Sequence, residues 1–242
     1  MPGVRRNQTG MQQPADKSIW WKSKWLAVVE LLLAVLILVG HNIFDIVPLS
    51  ETPFIFLLGW ISLRLRGQGW SSVGLRRPAS WRRTILIGVA AGIVLQSLST
   101  FVTEPLIKLV THQPTDLSQF RPLIGNLNLL VIFLLLNWTM AAFGEELVYR
   151  GYMMNRMADL GDRTRLAWAI SFLAVSSLFG LAHFYQGITG VIDTGVTSLM
   201  LGGLYFYSGR NLWLPIITHG FSNTVGFLMI FFDLVPGFGS NA

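Results

Sequence analysis

The chain has 242 residues, 52% of them hydrophobic and only 12% charged, with a mean hydropathy of +0.54. Soluble domains carry roughly 25% charged residues, so this composition argues for an all-α polytopic transmembrane bundle instead. The apolar runs are continuous rather than alternating, which argues against a β-barrel. The net charge of +6 sits between apolar runs and reads as cytoplasmic-loop bias, not as a nucleic-acid surface. The chain has no Cys, which excludes disulfides, thiolate metal sites and Cys nucleophiles.

Residues Met1–Lys24 are polar and read as a disordered cytoplasmic tail, with Ile19, Trp20, Trp21 and Trp25 at the interface. No small-x-small cleavage site follows, so the first apolar run reads as an anchor, not a signal peptide. Spans are expected at about Trp25–Phe44, Phe54–Leu65, Thr84–Leu109, Leu127–Arg150, Leu166–His183, Ile188–Tyr207 and Leu212–Phe232. These seven segments, within a range of six to eight, form a single transmembrane domain over 25–242. The second run is short and follows Pro53, so it is a short or tilted span or a re-entrant piece. Arg64, Arg66, Arg76, Arg77, Arg82 and Arg83 then make the most basic loop, read as a collar facing lipid phosphates. With the N-terminal tail, this loop belongs in the cytoplasm. Gly88 and Gly92 in the third span have GxxxG spacing, and Gln96 is placed to hydrogen-bond between helices. His112 falls in a polar non-cytoplasmic loop, Thr111–Asn126, and reads as solvated.

The fourth span carries Gly144-Glu145-Glu146-Leu147-Val148-Tyr149-Arg150. Ionisable groups are expensive in hydrocarbon and mark functional sites. Glu146 and Arg150 are four apart, nearly on one helical face, and can pair. Glu145 is rotated about 100° from Glu146 and has no local partner. A carboxylate held apart from cations suits a general base. Phe179 and His183 share a face at the end of the fifth span, and His219 and Asn223 share one on the last. Pro215, one turn before His219, is expected to kink that helix. Asp193, near the start of the sixth span, reads as a carboxylate favoured by the helix dipole, with a third acid in the site as the alternative.

Two His and a carboxylate match the ligand set of a catalytic zinc site, here Glu145, His183 and His219. They equally match a metal-free hydrolase, in which a carboxylate and a His activate water while a second His and Asn stabilise an oxyanion. No GxSxG or HExxH is present.

The ordered set Glu145-Glu146-x-x-x-Arg150, Phe179-x-x-x-His183 and His219-x-x-x-Asn223 resembles the three motifs of the CPBP family of intramembrane proteases, also called the CAAX-protease and bacteriocin-processing, or Abi, family. The resemblance covers about Ala141–Asn223, the expected catalytic core. It implies that Glu145 is the catalytic glutamate and that His183 helps activate water. It further implies that His219 and Asn223 form the oxyanion site, supported by Glu146 and Arg150. The family was first described as metal-dependent, whereas its eukaryotic prenyl-protein branch resembles glutamate proteases. The expectation is therefore a glutamate-dependent endopeptidase without cofactor, with zinc as the alternative. Its substrate would be a peptide or protein, with a prenylated CAAX segment as one candidate, and it would bind no nucleic acid. The expected setting is a bacterial plasma membrane with a cytoplasmic N-terminus. Rival readings are an ion- or proton-coupled transporter and a non-catalytic scaffold or immunity protein.

Overall fold

The computed structural model describes residues 23–48 and 50–238. The expected tail lies outside the described residues except for Ser23 and Lys24, as do Ile19, Trp20 and Trp21. Seven helical rods make up the described chain: α1 (Lys24–Asn42), α2 (Thr52–Leu65), α3 (Trp81–Thr111), α4 (Leu127–Leu160), α5 (Arg165–Leu181), α6 (Gly187–Tyr207) and α7 (Trp213–Phe231). Five are long and apolar enough to cross a membrane, and α2 and α5 are shorter apolar helices. The architecture is the expected polytopic helical bundle.

The helix starts follow from local chemistry. Ser23, Ser80, Asn126 and Thr164 each accept a hydrogen bond from a backbone N–H of the first turn of α1, α3, α4 and α5. Pro53 sits in the first turn of α2, where its missing N–H has no partner to lose. The same argument corrects the expectation for Pro215. It lies in the first turn of α7, which continues unbroken to Phe231, so it neither kinks nor opens the helix. His112 ends α3 in the left-handed conformation, at φ 56°.

Two close approaches bring the site helices together. A Cβ on Gly88 would lie 2.6 Å from Ile217 Cγ2, and one on Gly92 would lie 2.6 Å from the Thr218 carbonyl, so both glycines let α3 sit directly on α7. Gln96 accepts from Ser222 across the same seam at 3.2 Å, the interhelical bond expected of it. On α5 a Cβ at Gly180 would lie 3.1 Å from Gly195 Cα of α6. The main core surrounds the second half of α4, where Leu147–Met154 pack against Leu31, Ala34 and Leu38 of α1, Ile55 of α2 and Val175 and Phe179 of α5. Outward residues such as Leu32, Leu36, Leu86 and Leu173 stay exposed, as an acyl-chain surface requires.

One member of the basic loop is not at the surface. Arg66 donates to Glu30 Oε1 at 2.7 Å and to Ser62 Oγ at 2.7 Å, and the side chains of Arg66 and Glu30 are both largely covered. Arg66 therefore neutralises an acid of α1 instead of facing phosphates. The other loop arginines stay near the surface: Arg76 reaches the Gly209 carbonyl and Arg83 the Tyr207 hydroxyl.

Candidate active site

The backbone changes character where the motif begins. Within α4 the turns widen to π-type over Asn137–Glu145 and again over Leu147–Met153. Such turns close over one extra residue and re-aim side chains, and they recur at functional sites. The simple 100° step between Glu145 and Glu146 therefore does not describe this stretch. The two carboxylates still part company. Glu146 turns into the bundle and is fully buried, while Glu145 faces a cavity.

Glu146 is held by two groups at one oxygen. Its Oε1 accepts from Arg150 Nη1 at 2.9 Å and lies 3.0 Å from His219 Nδ1. Arg150, also fully buried, donates through Nη2 to Ser198 Oγ at 2.7 Å and to the Ser198 carbonyl at 3.0 Å. Its guanidinium carbon stands 4.7 Å above the Phe179 ring, a cation–π contact in a dry setting. The ion pair expected from the i,i+4 spacing thus becomes the hub that ties α4 to α5, α6 and α7.

Glu145 has no such partner, and its Oε2 is buried without a hydrogen bond. It lines a cavity of about 270 Å³, many times the space one water needs. His183, His219, Asn223 and Phe179 line the same cavity, so the structure brings together the residues singled out by the three motifs. His183 lies just past the end of α5 and points Nδ1 at the Phe179 carbonyl, 2.9 Å away. A carbonyl only accepts, so Nδ1 carries the proton and the neutral ring leaves a lone pair on Nε2. His219 is held in the same sense, its Nδ1 facing a carboxylate oxygen, which also accepts. Asn137 of α4 donates to the Gly220 carbonyl at 2.8 Å and anchors the α7 backbone between His219 and Asn223.

Asp193 departs from its expected role. It is the seventh residue of α6, past the first turn, and it accepts hydrogen bonds from Ser99 and Thr103 of α3 in the cavity wall. Glu104 lines the same wall. Glu51, at the entry to α2, was not singled out from the sequence. It is buried, accepts from Tyr149 OH at 3.0 Å and lies 3.8 Å from His41 Nε2. Tyr149 in turn meets Phe179 edge-on at 5.0 Å. Ser198 likewise drew no notice among the small residues of α6.

Glu145, His183 and His219 are the candidate zinc ligands. Among the described residues no three His, Asp or Glu side chains stand close enough to ligate one ion. The side chains as placed do not form a metal site.

No curated protein and no solved structure matches the chain significantly. Residues 127–225 match the family model for type II CAAX prenyl endopeptidases, Rce1-like, a stretch that opens with α4 and contains all three motifs, in agreement with a CPBP-family protease.

Proposed function

We propose that this protein is an intramembrane endopeptidase in which Glu145 is the general base. The observation that carries the reading is the division of labour between adjacent acids. Glu146 is consumed by Arg150 and His219, while Glu145 is unpartnered and borders a cavity with both histidines and Asn223. A water between Glu145 and His183 Nε2 gives its proton to Glu145 as its oxygen bonds to the scissile carbonyl carbon. The carbonyl electron pair moves onto oxygen, and that oxyanion accepts from the Asn223 amide and from His219 through Nε2, the nitrogen that Glu146 does not engage. Collapse of the adduct breaks the C–N bond. Glu145 returns the proton to the leaving nitrogen, which yields a carboxylic acid and an amine.

Phe179 and Arg150 are positioning residues in this scheme. Arg150 neutralises Glu146 and holds it under His219, and Phe179 spaces the two histidines, 4.9 Å from the His183 ring and 6.0 Å from the His219 ring. The apolar helices make this an integral membrane protein. We place it in a bacterial plasma membrane, with the arginine-rich end in the cytoplasm. The bilayer is its solvent, and a peptide or protein segment is its substrate.

The test is cleavage of a quenched peptide library, including farnesylated CAAX peptides, by purified wild type and Glu145→Gln, with and without chelator. Cleavage lost in the variant and unchanged by chelator supports the metal-free mechanism. Equal cleavage by both proteins overturns the assignment of the base. Loss of wild-type cleavage on chelation overturns the metal-free step.

A further inference from the structure

The cavity beside Glu145 has a direction. Its wall runs along α3 through Gln96, Thr100 and Glu104 and reaches Thr115, Leu117 and Phe120. Those last three belong to the connection between α3 and α4. That connection is tied to the start of α6 by Asp116 N–H donating to the Gln186 carbonyl at 2.9 Å, and to the end of α7 by Gly125 N–H donating to the Phe231 carbonyl at 3.0 Å. The cavity wall therefore reaches the end where α3 and α7 finish and where α4 and α6 begin, while no residue of the opposite end lines it, and the mouth is assigned to that side.

The arginine-rich end is the other one. There Lys24 pairs with Asp162 at 2.8 Å, Arg83 reaches Tyr207 at 3.2 Å and Arg76 reaches the Gly209 carbonyl at 2.9 Å. These contacts join the start of α1 and α3 to the loops that follow α4 and α6. The mouth end carries Lys108 and Arg121 as its basic residues among the described ones, against Asp45, Glu51, Glu104, Asp116 and Asp233. Orientation in a membrane is set by Lys and Arg in short loops near the helix ends. This asymmetry puts the arginine end in the cytoplasm and the mouth on the far side.

We infer that the cavity is loaded from the extracytoplasmic face, so its substrates are extended segments of exported or membrane-anchored proteins presented there, not cytoplasmic prenylated C-termini. At ~1.5 Å per residue Glu145 stands at most about 27 Å along α4 from Leu127, since the widened turns before it shorten the rise. An extended chain covers that depth with roughly eight residues at ~3.3 Å each. Access geometry stands apart from the chemistry, but the substrate class rests on the protease reading.

The chain has no Cys, so an introduced one is a unique label site. Ser118→Cys is exposed beside the mouth, and Ala79→Cys is exposed at the arginine end. In intact cells a membrane-impermeant maleimide is expected to label Ser118→Cys, and to label Ala79→Cys only after permeabilisation. The reverse pattern overturns the inference. Sealed proteoliposomes then receive an impermeant quenched peptide from outside, with vesicle orientation scored by the same labels. Cleavage is expected to rise in proportion to the fraction with Ser118→Cys outward. Cleavage that follows the fraction with Ala79→Cys outward overturns the access route. Cleavage by Glu145→Gln vesicles at the wild-type rate overturns the protease reading alone, because the labelling still reports the face of the mouth.

Discussion

His219 Nδ1 lies 3.0 Å from Glu146 Oε1, the same oxygen that accepts from Arg150 at 2.9 Å, so a residue of the last helix is oriented by an acid that is itself neutralised one turn further along α4. The contact sets which nitrogen of His219 is left for the cavity. The two adjacent acids thus differ in setting: one fixes a histidine, and the other is left without a hydrogen-bond partner beside the cavity.

Arg150→Met leaves the Glu146 carboxyl fully buried and without the guanidinium that pairs with it. Removing one member of a buried pair typically costs about 3–5 kcal/mol, whereas replacing both by apolar groups is often neutral. Arg150→Met is therefore expected to lower the unfolding temperature markedly, and the double change Glu146→Leu with Arg150→Met to recover most of it while staying inactive. Tryptophan fluorescence during heating in detergent checks this, since the chain has 9 Trp. Equal destabilisation by the single and double changes would contradict the buried-pair account.

Glu145→Gln should behave differently. Its Oε2 has no hydrogen-bond partner, so no structural bond is lost. The variant is expected to unfold at or above the wild-type temperature while cleavage falls by a factor on the order of 10²–10⁴, the usual contribution of a general base. Parallel loss of stability and activity would assign Glu145 a structural role instead.

The pairing of Glu146 with Arg150, apart from Glu145, was legible because few acids stand in apolar sequence and i,i+4 spacing puts the two on one face. The seven helices were legible for the same reason: hydropathy is a local property, and Pro53 marks the start of α2 within a residue. What local patterns do not carry is distance between helices. Glu51 lies outside the apolar runs, where nothing local marks it, yet it meets Tyr149 from 98 positions away. Arg66 sits among exposed arginines, and only the fold brings it to Glu30, 36 positions back. Asp193 looked like a dipole-facing acid because its hydroxyl partners, Ser99 and Thr103, belong to another helix. The widened turns around Glu145 left no mark in hydrophobic periodicity.

Tyr149→Phe tests whether Glu51 matters to the site. The hydroxyl is buried and donates to the carboxylate at 3.0 Å, so its removal leaves Glu51 with one donor fewer. Hydrogen bonds to charged groups contribute about 1.5–3 kcal/mol. The expected result is a loss of stability of that order, with Glu51→Leu combined with Tyr149→Phe adding less than the sum of the two single changes, because both remove the same bond. Additive effects in the double-mutant cycle would show that the contact contributes little.

Gly92→Ala tests the seam that brings α7 to the site. The added methyl would stand 2.6 Å from the Thr218 carbonyl and 2.7 Å from Phe221 Cβ, both on the turn that carries His219. Neither neighbour is the far end of a flexible chain, so α3 and α7 must separate. Overpacking of this kind typically costs about 1–3 kcal/mol. Moving the α7 backbone also displaces His219 from Glu146, and misplacement of a catalytic group by about 1 Å is enough for a loss of the order of 10² in rate. Gly203→Ala is the control, since a Cβ there meets nothing within 4 Å. Gly92→Ala is expected to lose both stability and cleavage, and Gly203→Ala to keep both. Peptide turnover and thermal unfolding of the two purified variants decide the matter, and an active, stable Gly92→Ala protein would show that α3 does not set the position of His219.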